Sequence, residues 1–282
     1  MADTVTVKAQ VDATIEERVS AYIQMVLNAN LVVAPTLLDL SSQAGPGIDV
    51  VQIPRFGKFT VSTVTPGTAV DAQANAFSAD AMNLDQYKAV QFQFLVQDLA
   101  STQAKVNVSQ AYLEQAGKDL ATELDQSLAD ALEAGVSTAA PDHKRAYAGS
   151  TIAKADILTA RQLLNEQNVP LEGRSAYISP AQEASILAIS EFVRVDESGG
   201  SEALRNGRIG KLFGFDIYVT SLAEDAKSMF YHQSALAWAR QLMPKTEFFR
   251  DVPMLADRYS ISHIYGRKIL DSGKRVVLMG TA

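Results

Sequence analysis

Apolar residues recur every three or four positions in two long stretches of the chain, a spacing that predicts helices. The first stretch covers residues 14–33, where Thr14 and Glu17 have the spacing of a capping box. The second runs from Ser109 to Ala134 and is followed by Gly135, a residue type that commonly ends helices. We expect the acidic face of this helix to be solvated or salt-bridged rather than to bind cations; its acids are Glu114, Asp119, Glu123, Asp125, Asp130 and Glu133.

Other segments alternate apolar and polar side chains, which predicts strands. The clearest case is residues 87–96, with valine and phenylalanine on one face and glutamine on the other. Two shorter β-like runs, Val50–Pro54 and Phe59–Val64, flank residues 55–58. These two runs are therefore predicted to form a long hairpin.

A loop at residues 135–150 separates this part of the chain from a region of mixed helix and strand character. In that region, helices are predicted at 155–168 and 235–241, and a further helix is predicted to begin at Pro180. Strands are predicted at 176–178, 215–220 and 229–232. Residues 246–279 return to strand-like character. The chain is thus expected to leave one sheet region, build an inserted α/β unit and come back, which is an α+β organisation.

Composition excludes several functions. The chain has 282 residues, of which 47% are apolar, a globular value. Its 32 acids and 25 bases give a formal charge of −7, so tight binding of nucleic acid is not expected, although loose contact through a local basic patch stays possible. Without cysteine there are no thiolate metal sites or cysteine nucleophiles. No apolar run is long enough to cross a bilayer and the first residues lack a secretory pattern, so we expect a soluble, intracellular protein with no membrane partner.

The sequence shows no motif for catalysis, metals or cofactors. The glycines near residue 210 have neither phosphate-binding nor dinucleotide-binding spacing. Of the three histidines, which lie far apart, we expect His143 to sit in a solvated loop and His232 to be packed or hydrogen-bonded. A Ser-His-Asp triad forms only in space, so the sequence also leaves room for a monomeric α/β enzyme.

The predicted hairpin is the physically unusual feature. It carries large apolar side chains on a two-stranded projection, and leaving such side chains in water forfeits about 1.5–3 kcal/mol apiece. Either the hairpin folds back on its own core or it lies on a neighbouring copy of the chain. In the second case Arg55 and Lys58 at its tip would meet acids of that neighbour.

Several short motifs, in their order, resemble a known family. They are Ile209–Ser221, His232–Ala239, Leu163–Pro170 with Gly173-Arg174, and Tyr177–Pro180. The chain as a whole resembles the major capsid proteins of tailed bacteriophages, which share the Hong Kong 97-type fold. The resemblance implies an N-terminal arm (1–48), an extended loop (49–86), a peripheral domain with a long spine helix (87–149), an inserted axial α/β domain (150–242) and a return to the peripheral domain (243–282).

The resemblance implies self-assembly rather than catalysis. The expected partners are many copies of the same chain in pentamers and hexamers, portal and scaffolding proteins, and packaged DNA in weak, non-specific contact. The expected location is the virion, with assembly in the cytoplasm of the host bacterium. The candidate interface residues are Arg55, Phe56, Lys58, Phe59, Val61, Arg194, Arg205 and Arg208.

Some members of this family join their subunits by a bond between a lysine and a late asparagine. No asparagine follows Asn206 in this chain, so non-covalent joints are expected. The sequence is also consistent with an encapsulin nanocompartment, which has the same fold, and with a phage tail or decoration protein.

Overall fold

The structure is a computed structural model. It describes residues 8–56, 59–61, 63–64, 77–95, 105–189, 208–223 and 227–280, with the backbone alone at 8–17, 56, 77, 105–110 and 208–209. The longer helices are α1 (Lys8–Asn30), α2 (Lys105–Ala134), α3 (Lys154–Glu166) and α4 (Pro180–Leu187). The strands are β1 (Leu38–Asp39), β2 (Val50–Phe56), β3 (Phe77–Asn83), β4 (Gln86–Leu95), β5 (Lys144–Arg145), β6 (Arg174–Ile178), β7 (Arg208–Leu212), β8 (Phe215–Val219), β9 (Lys227–His232), β10 (Leu236–Asp251), β11 (Ala256–Ile269) and β12 (Val276–Gly280).

A four-stranded sheet is built around the long antiparallel hairpin of β10 and β11, in the order β1-β10-β11-β4. Strand β4 runs antiparallel to β11 in unbroken register, from Gln86 opposite Tyr265 to Leu95 opposite Ala256. Helices α1 and α2 cover one face of this sheet, and their apolar side chains pack on Ile261 of β11.

A six-stranded mixed sheet has the order β5-β12-β9-β6-β8-β7. One face packs against a core to which α3 contributes Ile157, Ala160 and Leu164. The other face packs against the C-terminal half of α2, through Leu128 and Leu132. One helix of 30 residues therefore supports both sheets.

Strands β2 and β3 form a separate two-stranded ribbon. Only its base is buried, because Val51 and Met82 reach the small side chains of Ala237 and Ala239 on β10. Among the described residues, no helix is long and apolar enough to span a membrane.

Several predicted elements are confirmed. Helix α2 ends at Ala134, and α4 begins at Pro180. Strand β4 shows the predicted alternation, with every second side chain facing the helices. Helix α1, in contrast, starts at Lys8, so Thr14 lies inside it rather than at its N-cap.

The predicted pairing of Val50–Pro54 with Phe59–Val64 is wrong. Strand β2 pairs with β3, at 77–83, and the described residues of 59–64 form no strand. The reason is that Met82, near the C-terminal end of β3, packs in the core against β10. The alternation of neighbouring residues does not reveal this contact.

Two further expectations are corrected. The prediction of a helix at 235–241 is wrong, because β10 begins at Leu236 and its first five residues are buried. Burial between other elements overrides the helical preference of alanine and leucine here. The strands within residues 243–282 do not all lie in one sheet, because β12 belongs to the six-stranded sheet, between β5 and β9.

Candidate subunit interfaces

The predicted interface residues are described to different extents. Lys58, Arg194 and Arg205 lie outside the described residues, and only the backbone is described for Phe56, in β2, and Arg208, in β7. Phe59 and Val61 are described and lie open to solvent, with exposed fractions of 66% and 96%.

Arg55 is engaged within its own chain. Its guanidinium lies 3.1 Å from a carboxylate oxygen of Asp271 and 3.9 Å from one of Asp80. Asp271 also pairs with Arg275, at 2.9 Å. Arg55 therefore links the ribbon to the turn between β11 and β12, whatever further contact it makes in an assembly.

That turn is tightly constrained. Asp271, Ser272 and Gly273 all have positive φ, at 54°, 52° and 71°. A Cβ atom on Gly273 would overlap the carbonyl oxygen of Gly135, at the end of α2. Only glycine allows the backbone to approach that closely, so this turn fixes the end of α2 against both sheets.

The clearest apolar surface lies at the tip of the β10–β11 hairpin. We define the tip patch as Leu95, Phe249, Val252, Met254 and Leu255, whose exposed fractions run from 43% to 69%. Leu95 belongs to it because it pairs with Ala256, where β11 starts.

The charged residues beside the tip patch neutralise one another. Arg250 pairs with Asp257 at 2.9 Å, and Arg258 pairs with Asp251 at 2.5 Å. The tip thus presents apolar side chains without a net local charge from these four residues, and two identical tips would not repel each other through them.

A second partly open apolar region follows the edge strand β4. Phe92 stacks on Tyr259 with ring centroids 5.1 Å apart, and Phe94 meets Tyr112 of α2 edge-on at 5.2 Å. Phe92 and Phe94 face the helices but are only half-buried, and Tyr112 is 52% exposed.

Sequence reasoning missed the role of Asp125, which it placed on a solvated acidic face. The carboxylate is 2% exposed and accepts hydrogen bonds from the backbone N–H groups of Val32, Val33 and Ala34, at 2.6, 3.1 and 2.9 Å. Burial raises the pKa of Asp125, and these three hydrogen bonds act to lower it. Asp125 thereby ties the turn after α1 to the middle of α2.

The histidines are structural. His143 is buried rather than solvated, with Nδ1 2.8 Å from the carbonyl oxygen of Val276. His232 bonds Ser234, as predicted for a hydrogen-bonded residue. His263 is fully buried beside Tyr265, and neither of its ring nitrogens has a hydrogen-bond partner among the described residues.

The described residues assemble no recognisable catalytic or metal site. A polar open groove of about 440 Å³ runs along α2 and includes the ion pair of Lys88 and Glu123, at 2.7 Å. No group of three or more histidine or acidic side chains in the described parts of the chain is placed to hold a metal ion. The surfaces that stand out are apolar patches suited to other polypeptides.

Comparison with known proteins agrees with this picture. A family model described as phage capsid protein matches residues 45–256. A solved chain of Mycobacterium phage Che8 is 25% identical, with 88% of this chain and 90% of that one covered and a TM-score of 0.66. The capsid of cyanophage P-SCSP1u is 16% identical, with 89% and 88% covered and a TM-score of 0.70. None of the curated proteins matches in sequence.

The fold alone extends beyond phages. A virus-like particle from Pyrococcus furiosus has a TM-score of 0.63 at 12% identity, with 94% of this chain and 99% of that one covered. The family match, which spans most of the chain, favours the phage assignment over the other shell proteins. The chain belongs to the phage capsid protein family, as a tailed-phage major capsid protein of the Hong Kong 97-type fold: a structural, non-enzymatic protein whose copies form the shell of the virion.

Proposed function

We propose that copies of this chain close the shell as pentamers and hexamers held by non-covalent contacts, with the tip patch as one of the main joints. The observation that carries this is the tip patch itself, where five exposed apolar side chains lie beside two ion pairs whose four charges cancel. Burying such side chains is worth about 1.5–3 kcal/mol each. Several weak joints per subunit then act together through high effective concentration.

The two sheets suggest how the parts are divided. We assign the six-stranded sheet to the axial domain and propose that it lines the ring centres. This domain then takes β5 and β12 in addition to its share of residues 150–242, of which 236–242 belong to β10 of the four-stranded sheet. The four-stranded sheet and α2 form the peripheral domain, residues 1–48 the arm and 49–86 the extended loop. Closed rings require heterologous contacts, and Arg194, Arg205 and Arg208 remain candidates for them.

Further partners follow from this role. We expect the shell to meet portal and scaffolding proteins during assembly in the cytoplasm of the host bacterium. Contact with packaged DNA is expected to be weak, because the chain carries a net charge of −7.

The tip patch can be tested with a paired substitution. The V252E/M254E variant places two charges in the proposed joint, and we expect shell yield to fall at least tenfold while the subunit keeps its thermal midpoint. The matched control V252I/M254L keeps the patch apolar and should assemble normally. Shells of normal yield from V252E/M254E, counted by negative-stain electron microscopy, would exclude the tip patch as a main joint.

A further inference from the structure

A buried histidine lies on the side of the four-stranded sheet that α1 and α2 cover. His263 is fully buried in β11, on the same face of the strand as Ile261 and Tyr265. Ile261 packs against both helices, through Ile23 of α1 and Leu120 of α2 among others. Neither ring nitrogen of His263 has a hydrogen-bond partner among the described residues. A charge on this ring is therefore far more costly here than in water.

The charged groups that face His263 cannot easily compensate an added proton. They are Lys88 of β4, which lies opposite His263 in the sheet register, Arg240 of β10 and Glu123 of α2. Glu123 is the one acid of this set, and it already pairs with Lys88 at 2.7 Å. It also accepts a hydrogen bond from the hydroxyl of Tyr265, at 3.2 Å. A protonated His263 thus meets two cations and one acid that is already engaged.

Arg240 adds to the positive charge of this interior. Its side chain is buried and forms no ion pair with the described residues. The guanidinium donates to the amide oxygen of Asn28 at 3.0 Å and lies 5.0 Å from the ring centroid of Trp238. Burial lowers the pKa of Arg240, and Asp39 acts to raise it. A second cation at His263 is repelled by this first one.

Two hydrogen bonds attach α1 to β10 on either side of the histidine. The Ser20 hydroxyl oxygen accepts from the backbone N–H of Thr246 at 3.0 Å, and Asn28 accepts from Arg240. Thr246 and Arg240 lie opposite the positions two residues before and two residues after His263 in β11. From residue 19 to its end, α1 carries no charged residue. This part of α1 is therefore held by apolar packing and a few hydrogen bonds around His263.

We propose that His263 is an acid-sensitive latch on α1: when it is protonated, α1 separates from the four-stranded sheet while the six-stranded sheet stays folded. Separation lets water reach the imidazolium, which removes the cost of the buried charge. The six-stranded sheet packs on α3 and on the C-terminal half of α2, so it keeps its own core when α1 leaves. This inference concerns the subunit itself and goes beyond the proposed shell assembly.

Hydrogen exchange of the full chain, followed by mass spectrometry, tests the latch at pH 7 and pH 5. The pKa of His263 is about 4 in the closed form, whereas an exposed histidine titrates near 6.5. At pH 5 this difference favours the open form about thirtyfold. For amides of α1 we expect the ratio of the exchange rate in the natural chain to that in H263L to rise at least tenfold from pH 7 to pH 5. In β6 and β9 of the six-stranded sheet the same ratio should stay constant.

Two further variants guard the interpretation. H263Q also cannot titrate and serves as a second reference beside H263L, so the result does not depend on how well leucine fits. H143Q removes a different buried histidine, one that bonds Val276 at the six-stranded sheet, and should keep the acid response of α1.

Three outcomes overturn the latch. One is a ratio for α1 that is the same at pH 7 and pH 5 with either reference variant. Another is an equal rise in α1 and in β6 and β9, because the whole subunit then opens together. The third is loss of the response in H143Q. None of these measurements needs assembled shells, so failure of the latch and failure of the proposed function are separate results.

Discussion

At the scale of single residues, burial decides what a charged side chain does. Asp125 and Asp119 both lie on α2, yet Asp119 is exposed and bonds the neighbouring Gln115, whereas Asp125 is buried under three backbone donors. The two residues look alike in sequence. Their positions around the helix axis make one a surface charge and the other a clamp on the chain after α1.

Replacing Asp125 by alanine should destabilise the subunit. The substitution leaves up to three backbone N–H groups without an acceptor in a buried place, at a cost of about 1–3 kcal/mol for each fully buried one. We expect the free energy of unfolding to fall by about 2–4 kcal/mol in urea titrations of the unassembled subunit. D119A should change it by less than about 0.5 kcal/mol. Equal effects of the two substitutions would contradict the clamp.

His263 should make the fold sensitive to acid. Its pKa is lowered to about 4, mainly by burial; Glu123 acts to raise the pKa, and Arg240 and Lys88 act to lower it. Because the unfolded histidine titrates near 6.5, the unfolded state binds the extra proton first as the pH falls. Above about pH 6.5 the histidine is neutral in both states and does not lower the free energy of unfolding. Between about pH 6.5 and pH 4 its protonation in the unfolded state lowers that free energy progressively, by up to about 3 kcal/mol.

The measurement is urea unfolding of the subunit between pH 7 and pH 4. H263L cannot titrate, and we expect its stability to fall less steeply than that of the natural chain over this range. H263L removes this one titrating group, so the difference between the two curves reports the histidine together with its interaction with Glu123. Parallel curves would show that His263 does not contribute.

At the scale of elements, α2 and the turn after β11 hold the molecule together. The N-terminal half of α2 packs on the four-stranded sheet and its C-terminal half on the six-stranded sheet. The turn at 271–273 meets the end of α2 and also binds Arg55 of the ribbon. This turn therefore helps to fix the positions of both sheets and the ribbon relative to one another.

Gly273 should be the least tolerant position of this turn. Its positive φ disfavours any side chain, and a Cβ atom would overlap the carbonyl oxygen of Gly135. We expect G273A to lower the thermal midpoint by more than about 10 °C or to prevent soluble expression. G149A has open space around it and should leave the midpoint within about 2 °C. A normal midpoint for G273A would show that the turn can move away from α2.

Strand partners at this scale could not be predicted from local pattern. The apolar run at 59–64 is more strand-like in sequence than 77–83, yet the second segment pairs with β2. Burial of Met82 against β10 favours the pairing of β3 with β2, although β10 is more than 150 residues away along the chain. The prediction for 59–64 was therefore wrong in its partner, and the described residues of that segment form no strand in the subunit.

At the scale of the whole molecule, the net charge and the exposed apolar surface are consistent with a subunit of a shell. The chain carries a net charge of −7, so a closed shell of many copies has a strongly negative field. Such a container should not hold its DNA tightly, which leaves the polymer free to slide during packaging.

The unassembled subunit should accordingly bind duplex DNA only weakly. We expect a dissociation constant weaker than about 100 µM near physiological salt, at the weak end of non-specific binding. Fluorescence anisotropy of a labelled duplex measures it. Binding in the low micromolar range would require a concentrated basic patch and would contradict the expected weak contact.

The sequence by itself determined the long helix, the alternating strand that became β4, and the absence of cysteine and catalytic motifs, because these depend on local periodicity and residue type. It also indicated that the apolar side chains of residues 59–64 have to be buried against another surface. Only the tertiary structure decided that Asp125 and His143 are buried, that β2 pairs with β3, and that β12 joins the six-stranded sheet. Those features depend on which distant segments come together, and free energy gained by burial at long range leaves no trace in the spacing of neighbouring residues.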